Sequence, residues 1–190
     1  MQSRTIIRLT EGVVKSVDDD IWDVLSETHG TATGSGVVQS FALVTNGNGR
    51  WNESSAAIID DLMYASELIS TNGNYSTENL ICFVSPKDHR SIKNYLADKG
   101  AQWQSIASDI ATNGRVGKVG GITLVESNSV TASYALVVKP KTCATWKELV
   151  SLRSTTVEDP YKSLKIRVVE EGVVELTDPK AIVLIKNTQA

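Results

Sequence analysis

Cysteine is scarce in this chain of 190 residues, which holds two, Cys82 and Cys143. Neither stands at a metal-ligand spacing from another thiol or from an imidazole. A cysteine-built metal cluster and a disulfide scaffold are therefore not expected, and two lone thiols fit a reducing compartment. Histidine is equally sparse, with only His29 and His89, and no paired-histidine motif or Gly-x-Ser-x-Gly elbow accompanies them. Positive charge is also lacking. Nineteen Lys and Arg face twenty-two Asp and Glu, a net charge of -3. No overall positive field gathers nucleic acid, which argues against a dedicated DNA- or RNA-binding domain but not against a protein that encloses nucleic acid without gripping it. No run approaches the roughly 18 apolar residues of a membrane span. Met1 to Leu9 carries two arginines and no long apolar core, so no signal peptide is expected.

What is present is an ordinary globular balance, 41% hydrophobic and 22% charged residues, enough to bury a core in one medium domain. Thr5 to Leu9 reads as a short strand. Thr10 then caps a helix over about 11–27, with Val13, Val14, Val17, Ile21, Val24 and Leu25 on one face. A Gly-, Thr- and Ser-rich stretch, 29–36, leads to a strand over Val37 to Val44 and to the turn chemistry of Asn46-Gly47-Asn48-Gly49. A second helix is expected over about 55–71, with Gly73 just past its end. Leu80 to Val84 is a wholly apolar strand. Ser85 then caps a third helix, with Pro86 at its first position, Asp88 completing a capping-box-like pattern and Gly100 ending it. The glycines and asparagines between Asn113 and Gly121 predict an exposed, mobile loop, with Asn113, Gly114, Gly117, Gly120 and Gly121 as its marked positions. Strands are predicted at 122–125, 135–138, 163–169, 173–176 and 181–185, and a short helix near Thr145 to Leu152. Helices and strands mix without a regular βαβ repeat, so the predicted class is α+β.

Sites of chemistry are few. Gly34-Ser35-Gly36 begins like a phosphate loop, but Gln39 stands where the third glycine belongs, and the segment precedes a strand instead of following one. His29 and His89 read as solvated. A small hydrolase using one of them with a serine remains the reading from another class. Asp18, Asp19 and Asp20 point about 100° apart on a helix, which suits a solvated face better than one ion. Trp22, Trp51, Trp103 and Trp146 read as core or interface anchors. No catalytic residue, cofactor or metal is expected.

The order of elements carries a resemblance. The helix Ala56 to Ile69, the turn Gly73-Asn74-Tyr75, the segment Asn79-Leu80-Ile81-Cys82-Phe83-Val84-Ser85-Pro86-Lys87-Asp88 and the helix ending near Asp98-Lys99-Gly100 resemble the axial domain of major capsid proteins with the Hong Kong 97 phage fold. Val119 to Ser127, Asp159 to Glu170 and Val173 to Ile185, with Asp178-Pro179-Lys180-Ala181-Ile182, follow in that family's order. Ile6 to Glu27 is similar to its spine helix. The family's N-terminal arm and extended loop have no counterpart in residues 1–190. The resemblance implies a spine helix with part of a peripheral domain over 1–55, an axial domain over 56–150, and a return through the peripheral domain with closing axial strands over 151–190. It implies a non-enzymatic subunit of an icosahedral shell. Identical copies would join as pentamers and hexamers, with other capsid or scaffolding proteins as further partners. They would be assembled in the host cytoplasm around DNA held without specific binding, with the 113–121 loop near the capsomer axis. An encapsulin-like compartment shell is the alternative within the same fold.

Overall fold

The computed structural model of the protein describes residues 2–27, 37–43, 47–99, 117–159 and 163–189. Its first element is one long helix, α1 (Gln2–Leu25). The strand expected at Thr5 to Leu9 and the cap expected at Thr10 are both absorbed into it. Ile6, Thr10, Val13, Val17, Ile21 and Val24 are among the partly buried positions along its length, spaced three and four residues apart as one helical stripe. This stripe outweighs the local β preference of Ile6-Ile7, because a partner surface exists for it to cover.

That surface is a two-stranded ribbon made of β6 (Ala144–Asp159) and β7 (Ser163–Leu176), antiparallel throughout. The helix expected near Thr145 to Leu152 is thus a strand, and the two strands expected at 163–169 and 173–176 are one. β7 is rich in valine, and an available backbone partner overrides the helix-compatible spacing in its neighbour. Register shifts interrupt β6 on either side of Val150, where the extra residues bend the ribbon. Gly172 does not end β7, because the Trp146 ring lies over it. A Cβ there would come within 2.3 Å of that ring. α1 packs mainly on β7.

The other sheet has six strands in the order β1 (Gln39–Ala42), β8 (Ile182–Lys186), β5 (Tyr134–Val138), β2 (Ile81–Val84), β4 (Ile122–Glu126) and β3 (Lys118–Val119). β1, β8, β2 and β4 run parallel to one another, while β5 and β3 oppose their neighbours. The class is α+β, as predicted. Alternation assigns the two faces. Cys82, Val84, Ala135, Val137, Val183 and Ile185 point to one side, under α2 (Ile58–Gly73) and α3 (Pro86–Asp98), where they meet Leu62, Ile69, Ile92 and Leu96. Leu136, Val138, Ile182 and Leu184 point to the other, where Trp22 and Leu25 from the end of α1 join Val38 and Cys143. Fully burying each such aliphatic side chain stabilises the fold by about 1.5–3 kcal/mol. The central strands β8 and β5 are apolar on both faces for this reason.

Chain ends and turns fix the layout. α2 includes Gly73 and is closed by Asn74 in the left-handed conformation at φ 55°, whose N–H reaches Ser70 O, so the stop expected at Gly73 falls one residue later. Gly120 and Gly121, at φ 57° and 84°, form the two-residue turn between β3 and β4. Two positive φ values in a row are the type I′ hairpin turn, where glycine fits without strain. Part of the stretch expected as a loop is therefore a tight hairpin. Trp22 Nε1 donates to Thr131 Oγ1 at 2.9 Å and pins α1 to the sheet.

Candidate assembly surface

The best-defined polar cluster lies where β2 passes into α3. Ser85 sits in extended conformation, accepts the Asp88 N–H at 3.1 Å and donates its hydroxyl to Asp88 Oδ2 at 2.7 Å. Pro86 occupies the first turn, where its missing N–H leaves nothing unpaired. Asp88 is fully buried, and its other oxygen accepts from Gln189 Nε2 at 2.6 Å. The chain's last described residues thus close over the start of α3. Thr188 strengthens this closure, its N–H donating to Ser133 O at 3.0 Å while its carbonyl accepts from Trp51 N at 2.9 Å. The link from Asp88 to Gln189, 101 residues apart, has no sequence signal.

A second cluster surrounds the start of α2. Asp61 is buried and accepts from Trp51 Nε1 at 2.9 Å and Asn48 Nδ2 at 2.7 Å. Desolvation raises its pKa, an effect opposed by those two donors. Sequence reasoning missed this residue, although the pairing of a helix-start acidic doublet with an upstream tryptophan was visible. Along the rest of α2, Asp60, Tyr64, Glu67 and Thr71 line an open concavity of about 750 Å³, and the Tyr64 ring meets Phe41 edge-on at 5.0 Å.

Among the described residues the candidate groups for chemistry do not converge. His89, expected to be solvated, has a ring only 14% exposed and contacts Glu126 through Nδ1. Among the described residues no serine hydroxyl bonds to it, so the serine–histidine pairing of the hydrolase reading is not formed at His89. Asp19 pairs with Lys15 at 2.6 Å, which lowers its pKa, while Asp18 and Asp20 face water. Trp22 and Trp51 are buried and Trp146 half-buried. Cys82 and Cys143 are buried free thiols, both pushed up in pKa by desolvation. His29, Gly34 to Gly36, Trp103, Asn113 and Gly114 lie outside the described residues. Gly117 is exposed beside β3, and its carbonyl accepts from Leu124 N at 3.3 Å.

What the surface does offer is exposed apolar side chains, Val37 before β1 among them. Ile7, Leu9 and Val14 are exposed on α1 and Leu149, Leu152, Val157, Leu164 and Val173 on the ribbon, with Leu149 reaching 77% exposure. Met63 and Tyr64 are exposed on α2. A two-stranded ribbon is marginal on its own, and here α1 packs on it.

Comparison with known proteins agrees with this geometry. A family model described as phage capsid protein matches residues 1–185. No curated protein matches the chain. Among solved structures, the fold is similar to a chain of Mycobacterium phage Che8, with a TM-score of 0.70 and 16% identity over 95% of this chain and 61% of that one. It is similar to the capsid structure of the cyanophage P-SCSP1u, with a TM-score of 0.68 and 14% identity over 98% and 65%. It is also similar to the virus-like particle from Pyrococcus furiosus, with a TM-score of 0.64 and 13% identity over 91% and 63%. The chain spans less than two thirds of the length of these three structures. With the mixed sheet, the long α1 against its ribbon and the family match over almost every residue, the chain belongs to the phage capsid protein family.

Proposed function

We propose that the protein is a structural subunit of an icosahedral viral shell, with copies joined into pentamers and hexamers that enclose double-stranded DNA. The family match over residues 1–185 carries this assignment. The exposed apolar residues of α1 and the β6–β7 ribbon support it, because burial between identical copies is the work such a subunit performs. The net charge of -3 suits a wall against which packed DNA slides without being held.

Within the subunit, residues 56–150 form the axial domain, and residues 1–55 and 151–190 supply the peripheral domain and the closing axial strands. The β3–β4 turn with Gly117, Gly120 and Gly121 then lies toward the capsomer axis. Scaffolding or further capsid proteins are the remaining partners, and assembly takes place in the host cytoplasm before the subunit resides in the virion. Electron microscopy of the purified protein tests this reading. Rings of five and six, or closed shells, are the expected images. Shells that copurify with a protein cargo in place of DNA would assign the subunit to an enzyme-filled compartment instead.

A further inference from the structure

Alternation sorts the second half of β6 and the first half of β7 into two faces. In register, Arg153 stands opposite Val169, Thr155 opposite Arg167 and Val157 opposite Lys165. Residues directly opposite on paired strands point the same way, so these six share one face. Ile166 and Val168 belong to the other face and are partly buried. Arg153, Thr155, Val157, Lys165 and Arg167 are all exposed. Among the described residues none of the three cations takes part in an ion pair. Glu158 and Glu170 fall in the opposite alternation, and Asp159 and Glu171 lie beyond the two ends of the patch.

Lys165 and Arg167 follow one another on this face about 7 Å apart along β7, and Arg153 is a diagonal neighbour of Arg167 across the ribbon. Like charges so placed repel, and no side chain of the patch offsets them. The two guanidiniums and the ammonium are donors only, and Thr155 adds a hydroxyl among them. Such a set is complementary to an acceptor chain of repeated negative charge. We infer that this face of the ribbon contacts the phosphate backbone of nucleic acid, independently of base sequence. Duplex DNA presents a phosphate about every 3.4 Å of axis along each strand. Arginine meets phosphate with two parallel donors, and a threonine hydroxyl adds a neutral one. The patch holds no aromatic ring to stack on a base. The inference rests on the shell-subunit reading, which supplies the enclosed DNA, and adds the place where that DNA touches the subunit. Against a net charge of -3 the contact is local and weak, so the DNA still slides.

The purified protein is titrated against a short fluorescent DNA duplex of random sequence, with binding read as anisotropy at several salt concentrations. Its assembly is followed in parallel by electron microscopy. Affinity is expected to fall with salt at a log–log slope of about -2.7, roughly 0.9 for each of three phosphates. That is a loss of about fortyfold between about 50 mM and about 200 mM salt. R153Q/K165Q/R167Q should bind at least about tenfold more weakly at low salt, with its slope reduced toward zero. K87Q/R90Q removes two cations from α3 and should bind like wild type. If the triple variant loses its circular dichroism spectrum, the single variants R153Q and R167Q take its place, each lowering the slope by about 1. A wild-type protein without salt-dependent binding, or a triple variant that binds like wild type, overturns the inference. So does a loss in K87Q/R90Q as large as that of the triple variant. A triple variant that keeps DNA binding but no longer forms rings assigns the face to an acidic surface of another copy, and overturns it too. All of these leave the shell reading standing. DNA binding that depends on the three cations, in a wild-type protein that never forms rings or shells, overturns the shell reading and leaves the phosphate contact in place.

Discussion

Ser85 shows how much one side chain can coordinate. Its oxygen accepts the Asp88 N–H while its hydrogen satisfies the buried Asp88 carboxylate. Ser85→Ala should lower stability by about 1–3 kcal/mol, since it removes a cap and leaves a buried oxygen with one partner fewer. Thermal or urea unfolding checks this, and an unchanged midpoint would remove Ser85 from the cap. The serine–proline start of α3 was legible, because the chemistry is local. The closure by Gln189 was not, because it depends on where β8 leaves the chain. Asp61 offers a test by pH. Desolvation raises its folded pKa above the unfolded value. A carboxyl shifted this way favours folding while protonated, and that contribution is lost as pH rises through the folded pKa. Asp61→Asn should therefore flatten the pH dependence of urea stability on the acid side of neutrality. An unaltered slope would mean that Asp61 titrates alike in both states.

Elements were read correctly where a local pattern and a tertiary partner agree. Ile81 to Val84 and Tyr134 to Val138 are apolar, short and bounded by turns, and they are strands. The two failures share one cause. Ile6-Ile7 prefers a strand locally and Thr145 to Leu152 tolerates a helix, but each yields to a tertiary partner, the first to the ribbon that α1 packs on and the second to the backbone of β7. Nothing within either segment announces its partner. Gly172 is the position where the ribbon is most demanding. Gly172→Val would drive a side chain into the Trp146 ring and the Lys147 carbonyl, at 2.3 and 2.8 Å from the added Cβ. A loss of about 1–3 kcal/mol and a changed tryptophan signal are expected. Retention of both would place the ring elsewhere. Hydrogen exchange addresses the ribbon directly. Amides of β6 around Leu149 and Leu152 should exchange quickly in the dispersed protein and slowly once copies assemble, because their apolar side chains are then covered.

At the scale of the whole molecule, two cores share one sheet. α2 and α3 seal one face and the end of α1 seals part of the other, while the ribbon, packed on α1, still leaves Leu149, Leu152, Val157, Leu164 and Val173 exposed. The order of elements was legible in the sequence even where individual elements were not, since insertion of a wrong local state leaves the sequence of apolar segments unchanged. The most direct measurement is cryo-electron microscopy of the purified protein across a range of concentrations. Capsomer rings or closed shells, with the β6–β7 ribbon and α1 in contact with neighbouring copies, are the predicted result. A population of single copies at every concentration, with those apolar residues still facing water, would contradict it.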